Sequence, residues 1–319
     1  MDRASVIDTA FLFPGQGAQR PGFLHALPAH PAARATLEEA CDTLGTSAEA
    51  LDSESALHAT VAVQLGLLIA GVAAARALHA EGAEPDAVCG LSIGSFAAAV
   101  TCGTLAFRDA LSLAKQRAEA MERAYPQGYG LAAITGLGEK QIARRIREVS
   151  TERDPVYIAN VNAPRQIVIA GSDAALEALM SAVRGRGARK VQRLDVAVPS
   201  HCPLLNDAAS QLVSAFAGIA LGPPRIPYID NRKGRALRSA EAIRDDLATN
   251  LAHPVRWHDA TRVLCELGAS LFVEMPPGRV LTDLASEAFP EVRAMAMEGA
   301  SLEATTAMVH AHHAASEAR

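Results

Sequence analysis

The sequence predicts an α/β fold: a large domain built on a parallel sheet, with a small domain of ferredoxin-like order inserted into it. Three features carry that expectation. Short apolar runs alternate with helical stretches through the first third of the chain, the pattern of a parallel sheet covered by helices on both faces. Near residue 128 the texture changes to β-α-β-β-α-β, the ferredoxin-like order. From residue 199 the first alternation resumes.

The elements follow in order. Residues 10–13 form an apolar strand, 32–44 and 61–79 read as helices, and Ala87, Val88 and Cys89 lead as a strand into Ser92, with helices running from Phe96 and from Arg108. The inserted unit then reads as strand 129–136, helix 139–149, strands 156–163 and 166–171 around Pro164 and Arg165, helix 174–184 and strand 190–196. After Pro203 come a helix, strand 226–229, helices 240–251 and 257–267, and strand 271–274. Residues 1–127 and 199–319 are therefore assigned to the large domain and 128–198 to the small one. Between two such domains lies a cleft, where small-molecule sites commonly form.

Composition narrows the function classes. The 319 residues can bury a substantial core, half of them are hydrophobic, and a net charge of −5 leaves no basic surplus for nucleic acid or anionic lipid. Cys41, Cys89, Cys102, Cys202 and Cys265 include no C-x-x-C pair, which argues against a disulfide framework or a zinc site and for a reducing compartment, the cytoplasm. Residues 1–10 show no basic segment followed by an apolar core, and the longest apolar stretch, 65–75, falls short of the roughly 20 residues of a membrane span. A protein neither exported nor embedded is expected. His310, His312 and His313 are expected to form a solvated tail rather than a metal site.

Chemistry concentrates at Gly90-Leu91-Ser92-Ile93-Gly94, between the strand and an alanine-rich helix. A G-x-S-x-G turn there bends sharply enough to expose the serine hydroxyl, and the next main-chain N–H can face an oxyanion. A serine needs a base, and His201, in the proline-flanked loop Val198-Pro199-Ser200-His201-Cys202, is the candidate. Position alone leaves a structural histidine equally open. Arg117 shares a helix face with Ala110, Leu113, Met121 and Ala124. Such a cation either reaches past the stripe to a surface carboxylate or receives a carboxylated substrate in its planar fork. Phe13-Pro14-Gly15-Gln16-Gly17 leaves the first strand at the edge that carries Ser92, and Gln16 either joins an oxyanion hole or sits in a tight turn.

The order and spacing of Phe13-Pro14-Gly15-Gln16-Gly17, the Ser92 elbow, Arg117, Val198-Pro199-Ser200-His201 and Pro277-Gly278 resemble the malonyl-CoA:acyl carrier protein transacylases, over nearly the whole chain. Residues 160–171, Asn-Val-Asn-Ala-Pro-Arg-Gln-Ile-Val-Ile-Ala-Gly, resemble that family's small domain. The resemblance implies an α/β-hydrolase-like large domain in which Ser92 accepts the acyl group, His201 is its base, Arg117 clamps the malonyl carboxylate, and Gln16 with the Ile93 N–H forms the oxyanion hole. It further implies that Gln64 lines the pocket and that a backbone carbonyl, at Asn250, orients the histidine. Leu91 stands where the family usually has His, and Ser95-Phe96 replace the common Glu or Ala followed by an aromatic residue. Leu91, Ile93-Gly94 and Tyr228-Ile229-Asp230-Asn231-Arg232 are most similar to the malonyl transferase subunit of malonate decarboxylase.

The expected activity is ping-pong transfer of malonyl from malonyl-CoA to the thiol arm of an acyl carrier protein, with the malonate decarboxylase carrier subunit as partner and no metal, redox group or permanently bound cofactor required. A fatty-acid-synthesis transacylase is the alternative within the family. A serine esterase, which would need a triad carboxylate and gives Arg117 no task, and a catalytically silent assembly subunit are the alternatives outside it.

Overall fold

The computed structural model describes residues 7–317. Residues 1–6, part of the segment expected to carry no export signal, and the last two residues of the expected large domain lie outside the described residues. Along the chain come β1 (Thr9–Phe13), α1 (Pro31–Leu44), the short α2 (Glu49–Asp52), α3 (Thr60–Ala80), β2 (Ala87–Gly90), α4 (Gly94–Thr101) and α5 (Phe107–Ala124). Then follow β3 (Tyr129–Thr135), α6 (Glu139–Val149), β4 (Val156–Ala163), β5 (Gln166–Ser172), α7 (Asp173–Val183) and β6 (Lys190–Arg193). The remainder is α8 (Asn206–Phe216), β7 (Tyr228–Ile229), β8 (Ala236–Leu237), α9 (Ala240–Thr249), α10 (Trp257–Glu266), β9 (Leu271–Glu274), α11 (Val280–Ala288), β10 (Arg293–Ala296) and α12 (Leu302–Glu317).

The strands form two sheets, one mainly parallel and one antiparallel. The first has the order β10-β9-β1-β2-β7-β8, parallel except where β8 returns against β7, and the second has the order β4-β5-β3-β6. β1 and β2 are buried at every position, as strands covered on both faces must be. The edge strand β4 reaches the rest of the chain at residue 255, where Val161 N–H donates to Val255 O and Val255 N–H to Ala159 O, each at 2.8 Å. Residue 255 lies outside the strands, so these bonds tie the antiparallel sheet to the segment leading into α10.

α3 is the central helix of the first layer and touches α1, α4 and α5. The apolar stretch of 65–75 lies within it, but the expectation that this segment falls short of a span is revised, because the helix continues past Gln64 and Arg76 to 21 residues. By length and composition it could cross a membrane, but 89% of its most apolar window is buried against the rest of the protein. Of the terminal histidines His310 is exposed, as expected, but His312 and His313 depart from expectation. They lie on α12, which packs on α3 and β1; His312 Nε2 lies 2.8 Å from Ser270 Oγ and 3.4 Å from Asp8 Oδ1, and His313 Nε2 lies 3.4 Å from Asp86 Oδ2. Alternating Ala and His gave no clear apolar face, so the docking of this helix was not visible in its own sequence.

Candidate active site

The elbow is built by two close approaches that exclude side chains. A Cβ on Gly90 would lie 2.1 Å from Gly94 C, and one on Gly94 would lie 2.2 Å from Phe13 O. Two glycines are therefore what lets β2 turn directly into α4 beside the end of β1. Between them Ser92 has φ 57°, in the left-handed region; His201, at φ 58°, is the only other non-glycine residue with positive φ among the described residues. That conformation costs roughly 1–2 kcal/mol for an L-residue, so both sites are held by their surroundings.

The two strained residues meet. Ser92 Oγ lies 2.7 Å from His201 Nε2, and His201 Nδ1 lies 2.9 Å from the main-chain oxygen of Asn250. A carbonyl can only accept, so Nδ1 carries the proton, Nε2 is the acceptor, and the serine hydroxyl donates to it. Burial, with the Arg117 charge adding to it, pushes His201 down to about 4, so the imidazole is neutral at physiological pH. His201 is 2% exposed, and its own N–H donates to Leu251 O at 2.7 Å. Its loop is thus part of the packed interior, contrary to the loosely packed position that prolines on both sides suggest.

Arg117, on α5, is 1% exposed and does not reach the surface. One terminal nitrogen donates to Gln64 Oε1 of α3 at 2.7 Å and the other to Ser92 Oγ at 3.1 Å, while Nε has no partner. Among the described residues no carboxylate lies within ion-pair distance of it. Burial lowers its pKa only to about 10, so the guanidinium stays charged. A buried, charged and unpaired cation is costly by several kcal/mol, and an anion delivered next to Ser92 would offset that cost.

Ser92 and His201 face a cleft of about 250 Å³ between the two sheets. Gln16, Gln64, Leu91, Ile93 and His201 border it, and Arg117 and Asn250, which do not line it, hydrogen-bond Ser92 and His201 from behind, so the structure brings together every site residue singled out from sequence. The Gln16 side chain is half-buried and makes no protein hydrogen bond among the described residues. Ile93 N–H, the first after Ser92, likewise has no acceptor among the described residues. Leu91 packs its side chain with the cluster holding Val255 and Leu281. From the antiparallel sheet the cleft receives Asn160, Asn162 and Gln166 beside an apolar wall, and Asn162 Oδ1 is buried without a partner.

Residues that the sequence offered only as family markers turn out to fasten the site. Asn231 accepts from Ser92 N–H through Oδ1 at 2.9 Å and donates from Nδ2 to Gly90 O at 2.8 Å. Ser95 Oγ donates to Ser92 O at 2.5 Å and accepts from Asn250 Nδ2 at 3.2 Å. Asp246, which no sequence motif marks, accepts from Tyr228 OH at 2.7 Å and from Asn231 N–H at 3.3 Å. The available signal was positional: Asn231 follows a short apolar strand, and ligand sites in open parallel sheets lie beyond the strands' C-terminal ends.

Known proteins resemble the chain throughout its length. The acyl transferase domain family matches residues 10–315. The malonyl CoA-acyl carrier protein transacylase of Salmonella typhimurium is 36% identical over 302 residues, covering 92% of this chain and 97% of the relative. A malonyl-transacylase solved in complex with a holo type II polyketide synthase acyl-carrier protein superposes with a TM-score of 0.88 at 36% identity, over 92% of this chain and 97% of its own. FabD of Acinetobacter baumannii gives a TM-score of 0.90 at 32% identity, over 96% and 99%.

Proposed function

Because this chain belongs to the acyl transferase domain family and is an S-malonyltransferase by its malonyl CoA-acyl carrier protein transacylase relatives, we propose that it carries malonyl from malonyl-CoA, through an ester on Ser92, to the thiol of an acyl carrier protein. The observation that carries this reading is the buried Arg117 guanidinium, without a carboxylate partner and hydrogen-bonded to the nucleophile. Its terminal nitrogens are placed to take a carboxylate two bonds from the acyl carbon.

In the first half-reaction Ser92 Oγ attacks the thioester carbonyl carbon while its proton passes to His201 Nε2. The oxyanion is received by Ile93 N–H and the Gln16 amide, a kind of contact worth about 3–4 kcal/mol per donor. The C–S bond breaks, and the departing CoA sulfur takes the proton from His201. The second half-reaction runs the same steps in reverse order: the carrier thiol gives its proton to His201, its sulfur attacks the seryl ester, and Ser92 recovers its hydroxyl. Asn250 O holds His201 in the tautomer that both steps require. A main-chain carbonyl there, rather than a carboxylate, speaks against the serine-esterase alternative.

For the carrier, the malonate decarboxylase subunit is favoured by Leu91, Ile93-Gly94 and the segment Tyr228 to Arg232. A carrier of fatty acid synthesis fits the curated relatives equally well. Both thiol arms offer Ser92 the same chemistry, so the choice lies in the carrier's surface or the arm's phosphoribosyl portion. The division into domains 1–127 with 199–319 and 128–198 belongs to the same reading, as does a cytoplasmic location, which five free cysteines support. Steady-state transfer to each purified holo-carrier tests it: kcat/KM should favour the decarboxylase carrier, and transfer should outrun hydrolysis. Equal or better use of the fatty-acid carrier would contradict the carrier assignment, and dominant hydrolysis would contradict transfer itself.

A further inference from the structure

β2 runs further than its neighbour. β7 pairs with β2 only through Tyr228 opposite Val88 and Ile229 opposite Cys89, so Gly90 O and Ser92 N–H lie beyond the ladder. Asn231 takes up both. Its side-chain amide presents a C=O to Ser92 N–H and an N–H to Gly90 O, as a strand residue's main chain would. Among short side chains only an amide offers both groups. Asn231 is 2% exposed and is itself fixed at both main-chain groups: its N–H donates to the Asp246 carboxylate, and its O accepts from Arg256 N–H at 2.7 Å.

We propose that Asn231 is a positioning residue for the nucleophile, holding the left-handed turn at Ser92 through its amide, with Asp246 holding Asn231 in turn. The proposal rests on Ser92 being the nucleophile. Asp246 is well placed for this task because it lies four residues before Asn250 on the same helical run, and its main-chain oxygen accepts Asn250 N–H. One residue thereby braces the support of the nucleophile on one side and the carbonyl that orients His201 on the other. Tyr228 OH holds the second carboxylate oxygen. Burial pushes Asp246 up to about 7. An amide at that position keeps an oxygen to accept from Asn231 N–H, the contact the proposal needs, and the Tyr228 hydroxyl, which donates to the carboxylate, can turn to accept from the amide N–H instead.

Quenched-flow acylation by malonyl-CoA, followed by peptide mapping, tests the proposal. In Asn231→Ala the acylation rate at saturation should fall at least about 100-fold, the cost typical of a misplacement near 1 Å, while half-saturation stays within about threefold. Asp246→Leu should lose rate in the same way, and the conservative Asp246→Asn should recover most of it. Acylation by folded Asn231→Ala within about threefold of wild type, a loss carried by half-saturation alone, or an Asp246→Asn as slow as Asp246→Leu would overturn it. Should Asn231→Ala fail to fold, the two Asp246 variants decide. Wild-type label mapping away from Ser92 would instead refute the nucleophile assignment, before any variant is compared.

Discussion

At the scale of single residues, Arg117 and His201 act on each other. The arginine charge contributes to holding His201 down near 4, second only to burial. A base that weak accepts a proton poorly. A substrate carboxylate on Arg117 cancels part of that charge, so binding of malonyl raises the basicity of His201, whereas an acetyl group leaves it unchanged. The sign follows directly. His201 works only when neutral, so activity is lost as pH falls through its pKa, and the acid limb lies lower for free enzyme than for the malonyl complex. Acylation measured against pH at low malonyl-CoA, which reports free enzyme, should lose activity toward pH 4, and at saturation the loss should begin at higher pH. In Arg117→Ala the two limbs should coincide. Coincident limbs in wild type would show that the carboxylate does not bind at Arg117. Sequence identified both residues, but not their coupling, because the α5 stripe and the His201 loop lie 84 positions apart (201 − 117) and nothing local says that they meet.

At the scale of elements, the turn from β2 to α4 is set by bulk exclusion at Gly90 and Gly94, and its register is set by Asn231 and Ser95. Gly90→Ala should force Gly94 away from the strand, costing about 1–3 kcal/mol or more as overpacking does, and should abolish acylation. Gly218, where an added Cβ would meet nothing within 4 Å, provides the comparison; Gly218→Ala should shift the urea midpoint little. Equal midpoints for the two variants would mean the elbow is not tightly packed. The strands and helices around the elbow were legible in sequence because each carries a clear pattern: β1 is apolar from Ala10 to Phe13, β2 from Ala87 to Cys89, and α5 has a clear stripe. β8 was not, being two residues whose only partner is β7. Edge strand β10 pairs only with β9 and is half-exposed, so its alternation is weak. β6 stops at Arg193, short of the expected 196: its last ladder pair is Arg193 with Ala132, and beyond it only Leu194 N–H still donates to β3, at Leu131 O. The elbow serine and its histidine could be found from motif and position, whereas Asn231 and Asp246 contribute through side-chain geometry that a short polar turn and a helix do not announce.

At the scale of the molecule, the proposed malonyl site draws on three layers that converge on one cleft: helices α3 and α5 supply Gln64 and Arg117, the parallel sheet supplies Ser92 at a strand end, and the antiparallel sheet closes the other side with Asn160, Asn162 and Gln166. The cation is buried before substrate arrives, so the protein spends folding stability to keep a receptor ready beside the nucleophile. That is the central claim, and competition tests it. Purified protein is mixed with equimolar malonyl-CoA and acetyl-CoA, quenched, digested, and the peptide containing Ser92 is analysed by mass spectrometry. Malonyl should dominate on Ser92 in the wild type, the preference should collapse in Arg117→Ala, and no label should appear in Ser92→Ala. A malonyl-to-acetyl ratio unchanged by loss of Arg117, or label persisting without Ser92, would contradict the account.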